Sequence, residues 1–163
     1  MLSASTPKKI AIFVDVQNIY YTTREAYNRQ FNYRKLWRKI ALQGEIVAAN
    51  AYATNRNHDG QIKFQEALKH IGFDVKLKPY IQRSDGSAKG DWDVGIAIDI
   101  LDFAKEVDRV ILLSGDGDFD LLVTKIKECY SVEAYVYGVP SLTAGSLIDV
   151  ATKFIPIDQD LLL

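Results

Sequence analysis

Short apolar runs recur along the chain, and most of the stretches between them carry apolar residues at helical rather than alternating spacing. The clearest run is Val110-Ile111-Leu112-Leu113, a block of strand formers with no polar position on either face. Such a block predicts a strand buried on both sides, the habit of parallel sheets covered by helices on each face. Ile10 to Val14 reads the same way, Glu45 to Thr54 and Val132 to Tyr137 add further strands, and Lys153 to Ile157 a last short one. Phe73 to Lys78 instead alternates apolar and polar residues, which predicts a half-buried edge strand whose lysines discourage pairing with another chain.

The intervening stretches read as helices. Ile19 to Tyr27 gives a turn or two, with Asn18 as a candidate cap. Arg34 to Leu42 is amphipathic, with Leu36 and Ile40 inward beside Trp37 and Ala41, and its basic face reads as solvated. Ile62 to Ile71 carries Phe64, Ala67, Leu68 and Ile71 on one stripe and ends at Gly72. From Asp93 to about Lys105, Val94, Ala97, Ile98 and Leu101 form the expected stripe, while Ile96, Ile100 and Phe103 make the rest of the circumference apolar, so packing on more than one side is expected. Asp118 to Tyr130, with Phe119, Leu122, Val123 and Ile126 inward, and Ala144 to Val150 complete the set. Gln82 to Gly90 reads as a loop rich in Ser, Gly and Lys. Strands alternating with helices predict a three-layer α/β domain with a mostly parallel central sheet, spanning 9–163 after a disordered lead-in at 1–8.

At 163 residues the chain suits one domain that buries about 70 % of its unfolded surface. The net charge of −1 offers no bulk positive field, so any nucleic-acid site must be a local patch. Cys129 is the lone cysteine, which rules out a disulfide within the chain and reads as a small buried hydrophobe. No apolar run approaches ~18 residues and Met1 to Lys9 is too polar for a signal peptide, so a cytoplasmic protein with no membrane partner is expected.

Zinc chemistry lacks ligands: His58, His70 and Cys129 are the only imidazole or thiol groups and share no ligand spacing. No phosphate loop, dinucleotide fingerprint or nucleophile elbow is present. What remains is carboxylate. Asp15 follows the first strand, Asp93 opens a helix, and Asp116 and Asp118 follow the central strand across Gly117. In open α/β sheets ligands bind beyond the carboxyl ends of the strands, where such residues gather. Any one of Asp91, Asp93, Asp116 or Asp118 has an ordinary use as a helix cap, but several together repel by about 4 kcal/mol per pair at ~4 Å and need a cation or protons. An all-oxygen cluster suits Mg²⁺ or Mn²⁺ and phosphoryl chemistry. Asp99 lies between Ile98 and Ile100, where it either supports the site from behind its ligands or reaches a solvent edge.

Three segments in order, Phe13-Val14-Asp15-Val16-Gln17-Asn18, Lys89-Gly90-Asp91-Trp92-Asp93-Val94 with Asp99 downstream, and Ser114-Gly115-Asp116-Gly117-Asp118-Phe119, resemble the NYN domains of the PIN-like nuclease superfamily, and within it the LabA-like branch. The resemblance runs across nearly the whole chain and implies a Rossmann-like α/β/α (PIN-like) fold with a metal-dependent endoribonuclease site using Mg²⁺ or Mn²⁺. Carried over by position, it implies that Asp15, Asp93, Asp116 and Asp118 surround the ion, with Asn18 beside Asp15 positioning water or phosphate. Ser114 and Lys89 would line the site, and Arg56 is a further candidate substrate contact, with Lys76 and Arg83 further out and Trp92 or Tyr80 as a stacking surface. Where the family commonly has a small residue after the first acid, this chain has Val16. RNA is the expected partner, and a homodimer is left open.

The rival reading is a non-catalytic regulatory or RNA-binding module that keeps the nuclease fold, which the near-neutral charge favours slightly. Other acidic phosphotransferase patterns fit less well: a dehalogenase-type phosphatase wants a second Asp where Gln17 stands, and a Toprim domain wants Glu where Asp15 stands.

Overall fold

Ile10 to Val14 and Val110 to Leu113 have almost no solvent exposure, and each of their side chains larger than Ala11, withdrawn from water, contributes roughly 1.5–3 kcal/mol. In a computed structural model of the chain, described over residues 6–55, 59–79, 81–82, 88–89 and 91–163, these two runs lie side by side at the centre of a sheet. The elements follow in the order β1 (Lys9–Asp15), α1 (Val16–Tyr27), α2 (Tyr33–Ala41), β2 (Glu45–Asn55), α3 (Asp59–Ile71), β3 (Asp74–Pro79), β4 (Ile81–Gln82), β5 (Ala88–Lys89), α4 (Asp93–Ala104), β6 (Arg109–Leu113), α5 (Asp120–Tyr130), β7 (Glu133–Gly138), α6 (Gly145–Val150) and β8 (Lys153–Pro156).

The main sheet runs β3-β2-β1-β6-β7-β8 and every pairing in it is parallel. From β1 the chain first builds outward through β2 and β3, then returns to pair β6 on the other side of β1. That reversal is the switch point of a Rossmann-like sheet, and it opens a crevice between the carboxyl ends of β1 and β6. Alternation along β1 sends Ile10, Ile12 and Val14 to one face, against α1, α2 and α3, through Ile19, Leu36, Ile40 and Leu68. It sends Ala11 and Phe13 to the other face, against α4 and α5 through Ile96, Ile100, Val123 and Ile126. β3 takes the edge, as its alternation predicts. Among the described residues no helix is long and apolar enough to cross a membrane.

Several local expectations are corrected. α1 begins at Val16 and is capped by Asp15, whose side chain accepts from the Asn18 amide; Asn18 is not the cap. α4 buries Ile96, Ile100 and Ala104, whereas Val94 and Ile98 of the expected stripe are exposed at 72 % and 54 %. The reason is that both sides of this helix are apolar, so periodicity alone does not fix its rotation. Residues 81–82 and 88–89, within or beside the expected loop, pair as a short antiparallel ladder, Ile81 with Lys89 and Gln82 with Ala88. A short 3-10 turn, Gly117–Phe119, precedes α5. Cys129 is exposed rather than buried, and Ala41 and Ala67 are exposed beside their inward-facing neighbours. Lys8, assigned to the lead-in, is tied down: its carbonyl accepts from the Glu45 amide at 2.7 Å and its ammonium meets Glu133 at 2.5 Å. Residues 1–5 lie outside the described residues.

Gly72 ends α3 at φ +135°, a conformation that needs glycine, and a Cβ there would lie 2.7 Å from the Trp37 ring. At the opposite end of the sheet from the crevice, Arg109 is 7 % exposed, donates to Gln43 and Glu133 at 3.0 Å each, and lies 4.1 Å from the centre of the Tyr135 ring. Replacing it with Ala removes the stacked guanidinium and leaves Glu133, among the described residues, with Lys8 as its one cationic partner. Arg109→Ala is expected to lower stability by about 2 kcal/mol, read as a shift in urea midpoint at constant m.

Candidate active site

Because the sheet is parallel, the carboxyl ends of all its strands share one edge, and the chemistry-bearing residues collect there. β1 ends at Asp15, and the pairing of Val14 with Leu113 sets the segment from Ser114 to Asp116 directly beside it. Ser114 is fully buried; its hydroxyl donates to Asp15 Oδ2 at 3.3 Å and accepts from the Asp116 amide at 3.2 Å. It thus bridges the two acidic loops and fixes them relative to each other. Asn18 makes the second bridge: its amide donates to Asp15 Oδ1 at 3.3 Å and its Oδ1 accepts from the Gly115 amide at 2.9 Å. Only a glycine fits at 115, since a Cβ would lie 2.5 Å from the Leu142 carbonyl oxygen.

Asp116 Oδ1 accepts from the Asp118 amide at 2.9 Å, capping the turn that leads into α5. Asp93, first residue of α4, approaches from the other side of the crevice. The result is a trio: Asp93, Asp116 and Asp118 each offer one carboxylate oxygen, and these oxygens all lie within 4.8 Å of one another. Sequence position alone favours Asp15 over Asp118 in that trio. Asp15 lies outside it because its two oxygens are drawn back to the Asn18 amide and the Ser114 hydroxyl. Asp118 joins it because Asp116, not Asp118, does the capping.

The clustering is visible in the acidities. The Asp93 carboxyl is pushed up from 3.8 to about 7, first by burial, then by a hydrogen bond to Asp116 that only its protonated form makes, then by the charges of Asp116, Asp15 and Asp91. Asp15 is pushed up to about 6, chiefly by burial, against the Asn18 amide and the Ser114 hydroxyl, with the charges of Asp116 and Asp91 adding to the rise. Both shifts report negative charge crowded into a partly buried site, the electrostatic setting in which a bound cation favours the ionised carboxylates. A six-coordinate Mg²⁺ or Mn²⁺ with bonds of ~2.1 Å holds its ligand oxygens about 3 Å apart when adjacent and about 4.2 Å when opposite. The trio's oxygens, all within 4.8 Å of one another, are close enough to converge on one such ion, and the donor set, all carboxylate oxygen, suits these hard ions.

Two residues that sequence does not single out for the site are present. Asp91 adds its charge to both Asp15 and Asp93. Lys78, near the carboxyl end of β3, donates to the Asp91 carbonyl at 3.1 Å and lies 5.3 Å from the centre of the Trp92 ring. The rule that finds the acids, position at a strand's carboxyl end, points equally to Lys78. Trp92 is clamped, its indole N–H donating to the Ala53 carbonyl at 2.9 Å and its ring against Tyr52. Asp99 does not reach the trio: it accepts from the Tyr52 hydroxyl at 2.7 Å, and so steadies the ring that Trp92 packs on. Lys76 pairs with Asp74 at 3.2 Å. Lys89 sits in β5, and its side chain, like Arg56, Tyr80 and Arg83 entirely, lies outside the described residues.

With the geometry in place, comparison with known proteins adds kinship. The sequence profile of the NYN domain matches residues 9–158. Low amplitude and bright protein LabA of Synechococcus elongatus is 30 % identical over 164 aligned positions, covering 96 % of this chain and 87 % of that protein. The crystal structure of a protein of unknown function from Vibrio parahaemolyticus superposes with a TM-score of 0.94 at 54 % identity, covering 99 % of this chain and all of that one.

Proposed function

The chain belongs to the NYN domain family, and from that premise we propose that it is a divalent-metal-dependent endoribonuclease, hydrolysing RNA phosphodiester bonds at the acidic crevice. The observation that carries this reading is the convergence of Asp93, Asp116 and Asp118 within 4.8 Å at the switch point of the sheet, where open α/β folds take their ligands. These three would hold Mg²⁺ or Mn²⁺. When bound, the ion would neutralise phosphate charge and make a water acidic enough to attack at neutral pH.

The chain's own groups supply the rest. Asp15, outside the trio and pushed up to about 6, would accept the proton of the attacking water, the role for which a carboxylate poised near the working pH is suited. Asn18 spends its Oδ1 on Gly115, which leaves its Nδ2 to donate to that water or to a phosphate oxygen. Ser114 acts through Asp15 and Asp116, holding them without touching substrate. Lys78 is a cation near the crevice for a neighbouring phosphate, with Lys89 as its counterpart from the sequence pattern.

Incubating labelled RNA with the protein and Mn²⁺ is expected to give internal cleavage that stops when EDTA is added. The alternative, a regulatory or RNA-binding module without catalysis, gains ground if RNA is bound but never cut, with affinity indifferent to metal and to Asp15→Ala.

A further inference from the structure

A wide recess other than the acidic crevice is present. It is a groove of about 1210 Å³ between α1, α2 and α3 on one face of the sheet. That exceeds the roughly 300–1,000 Å³ typical of sites that enclose a small ligand. Six cations line it, Arg24, Arg34, Lys35, Arg38, Lys39 and Lys63, and among the described residues of its lining there is no Asp or Glu. In a chain of net charge −1, that is a marked separation of charge. Lys35 and Lys39 are tempered by Asp160, which holds both at the rim; Arg34, Arg38 and Lys63 are exposed, with no carboxylate partner among the described residues.

The groove also displays aromatic surface that the core does not use. Tyr20 and Tyr21 line it, are each 47 % exposed, and meet edge to face at 5.3 Å. Arg24 steadies the first of them, donating to its hydroxyl at 3.1 Å with its guanidinium near the ring. Cations spaced along a channel with open aromatic rings are the two elements of a single-strand site: the first track the phosphates, the second stack bases of any identity.

One end of this groove adjoins the acidic crevice. Val16 and Gln17, the residues directly after Asp15, line it, as do Ala53 and Thr54 near the carboxyl end of β2. Tyr33 belongs to its wall and lies close enough to Asp15 for that charge to add to the rise that burial imposes on its hydroxyl. On the strength of these observations, and resting on the nuclease reading above for the fate of the strand, we propose that the groove binds single-stranded RNA and leads its backbone to the acidic crevice. The basic face of α2, which sequence alone leaves as a solvated surface, is then one wall of the substrate path. Duplex fits poorly, because its bases are already stacked on each other and unavailable to Tyr20 and Tyr21.

The experiment measures the binding of a fluorescein-labelled oligouridylate about 12 nucleotides long by anisotropy, in EDTA so that nothing is cleaved. Arg34→Ala/Arg38→Ala/Lys63→Ala is expected to raise Kd about 10- to 100-fold and to lower the slope of log K against log salt by about 2, near 0.7 for each phosphate that no longer meets a cation. Tyr20→Ala/Tyr21→Ala, which removes no charge, is expected to weaken binding about 10-fold or more with the slope unchanged. Lys125→Ala, at an exposed position of α5, serves as the charge control and should change neither. Wild-type affinity in the triple variant, or equal binding of a duplex of the same length, would overturn the inference. Hydrolysis of bis(p-nitrophenyl) phosphate by the wild-type protein with Mn²⁺ needs the crevice and not the groove, so it separates the two readings. Groove-dependent binding without that hydrolysis overturns the nuclease and keeps the groove; hydrolysis with groove-independent binding does the reverse.

Discussion

Asp116→Asn is expected to lower Mn²⁺-dependent RNA cleavage by about 10³-fold or more, some 4 kcal/mol of transition-state stabilisation, while the protein stays folded and binds RNA at nearly its original strength. The substitution separates two duties of one side chain. Asn is as good a cap as Asp, and its carbonyl oxygen can still accept from the Asp118 amide, so the turn into α5 survives. The Asp116 amide, which donates to Ser114, is untouched. What is lost is a negative charge at the centre of the trio, and with it a carboxylate that Asp93 and Asp118 cannot replace. Cleavage at an undiminished rate in the variant, from preparations of matched purity, would exclude these carboxylates from the chemistry. Asp118→Asn should show the same loss without any consequence for the cap, since Asp118 is exposed and caps nothing.

The parts of the fold legible in the sequence are those where one physical demand acts alone. Val110 to Leu113 and Ile10 to Val14 have no polar position to spare, so only a strand buried on both faces accommodates them, and both stand at the centre of the sheet. Phe73 to Lys78 alternates, and β3 is the edge. α4 marks the opposite case. Ile96 and Ile100 compete with Val94 and Ile98 for the inside, the sequence is nearly neutral between them, and what decides is tertiary: Trp92 pinned to Ala53 and Tyr52 sets the rotation of the helix that follows.

The site follows the same division. That Asp15, Asp93 and Asp116 gather at one edge is readable, because parallel strands bring their ends together and a strand's end makes no structural demand for Asp. The order within the cluster is not readable. Whether Asp15 or Asp118 stands nearer the other two depends on which carboxylate is pulled away by local donors, and Asn18 and Ser114 claim Asp15. The groove is less legible still. Arg24, Arg34, Arg38 and Lys63 come from three helices, and each taken alone is an ordinary solvated cation. Only their convergence around an open channel with no Asp or Glu among its described lining residues gives them a common purpose.

Metal and pH should act on stability together, through Asp15 and Asp93. Their folded values near 6 and 7 lie above the usual 3.8, so between about pH 4 and pH 7 the folded state holds protons that the unfolded chain releases. Their contribution to stability is thus fully present below about pH 4 and is lost as the pH rises through 6 to 7; Asp15 accounts for about 3 kcal/mol of that loss, and solvent screening limits what partly exposed Asp93 adds. A divalent ion reverses the sign, because it binds the ionised cluster and must displace those protons. The Mn²⁺-induced rise in Tm is therefore expected to be slight near pH 5 and about 5–10 °C near pH 8, the shift that metal at ~100 times its Kd gives a chain of this size. Asp93→Asn keeps the shape and removes one repelling charge. It should raise the metal-free Tm near pH 8 by a few degrees and abolish most of the Mn²⁺ increment, as followed by thermal denaturation with EDTA and with Mn²⁺. An increment that is independent of pH, or that survives in Asp93→Asn, would place the ion elsewhere. The opposed responses, greater stability without metal and none of the gain with it, distinguish a carboxylate held in place for a ligand from one held in place for the fold.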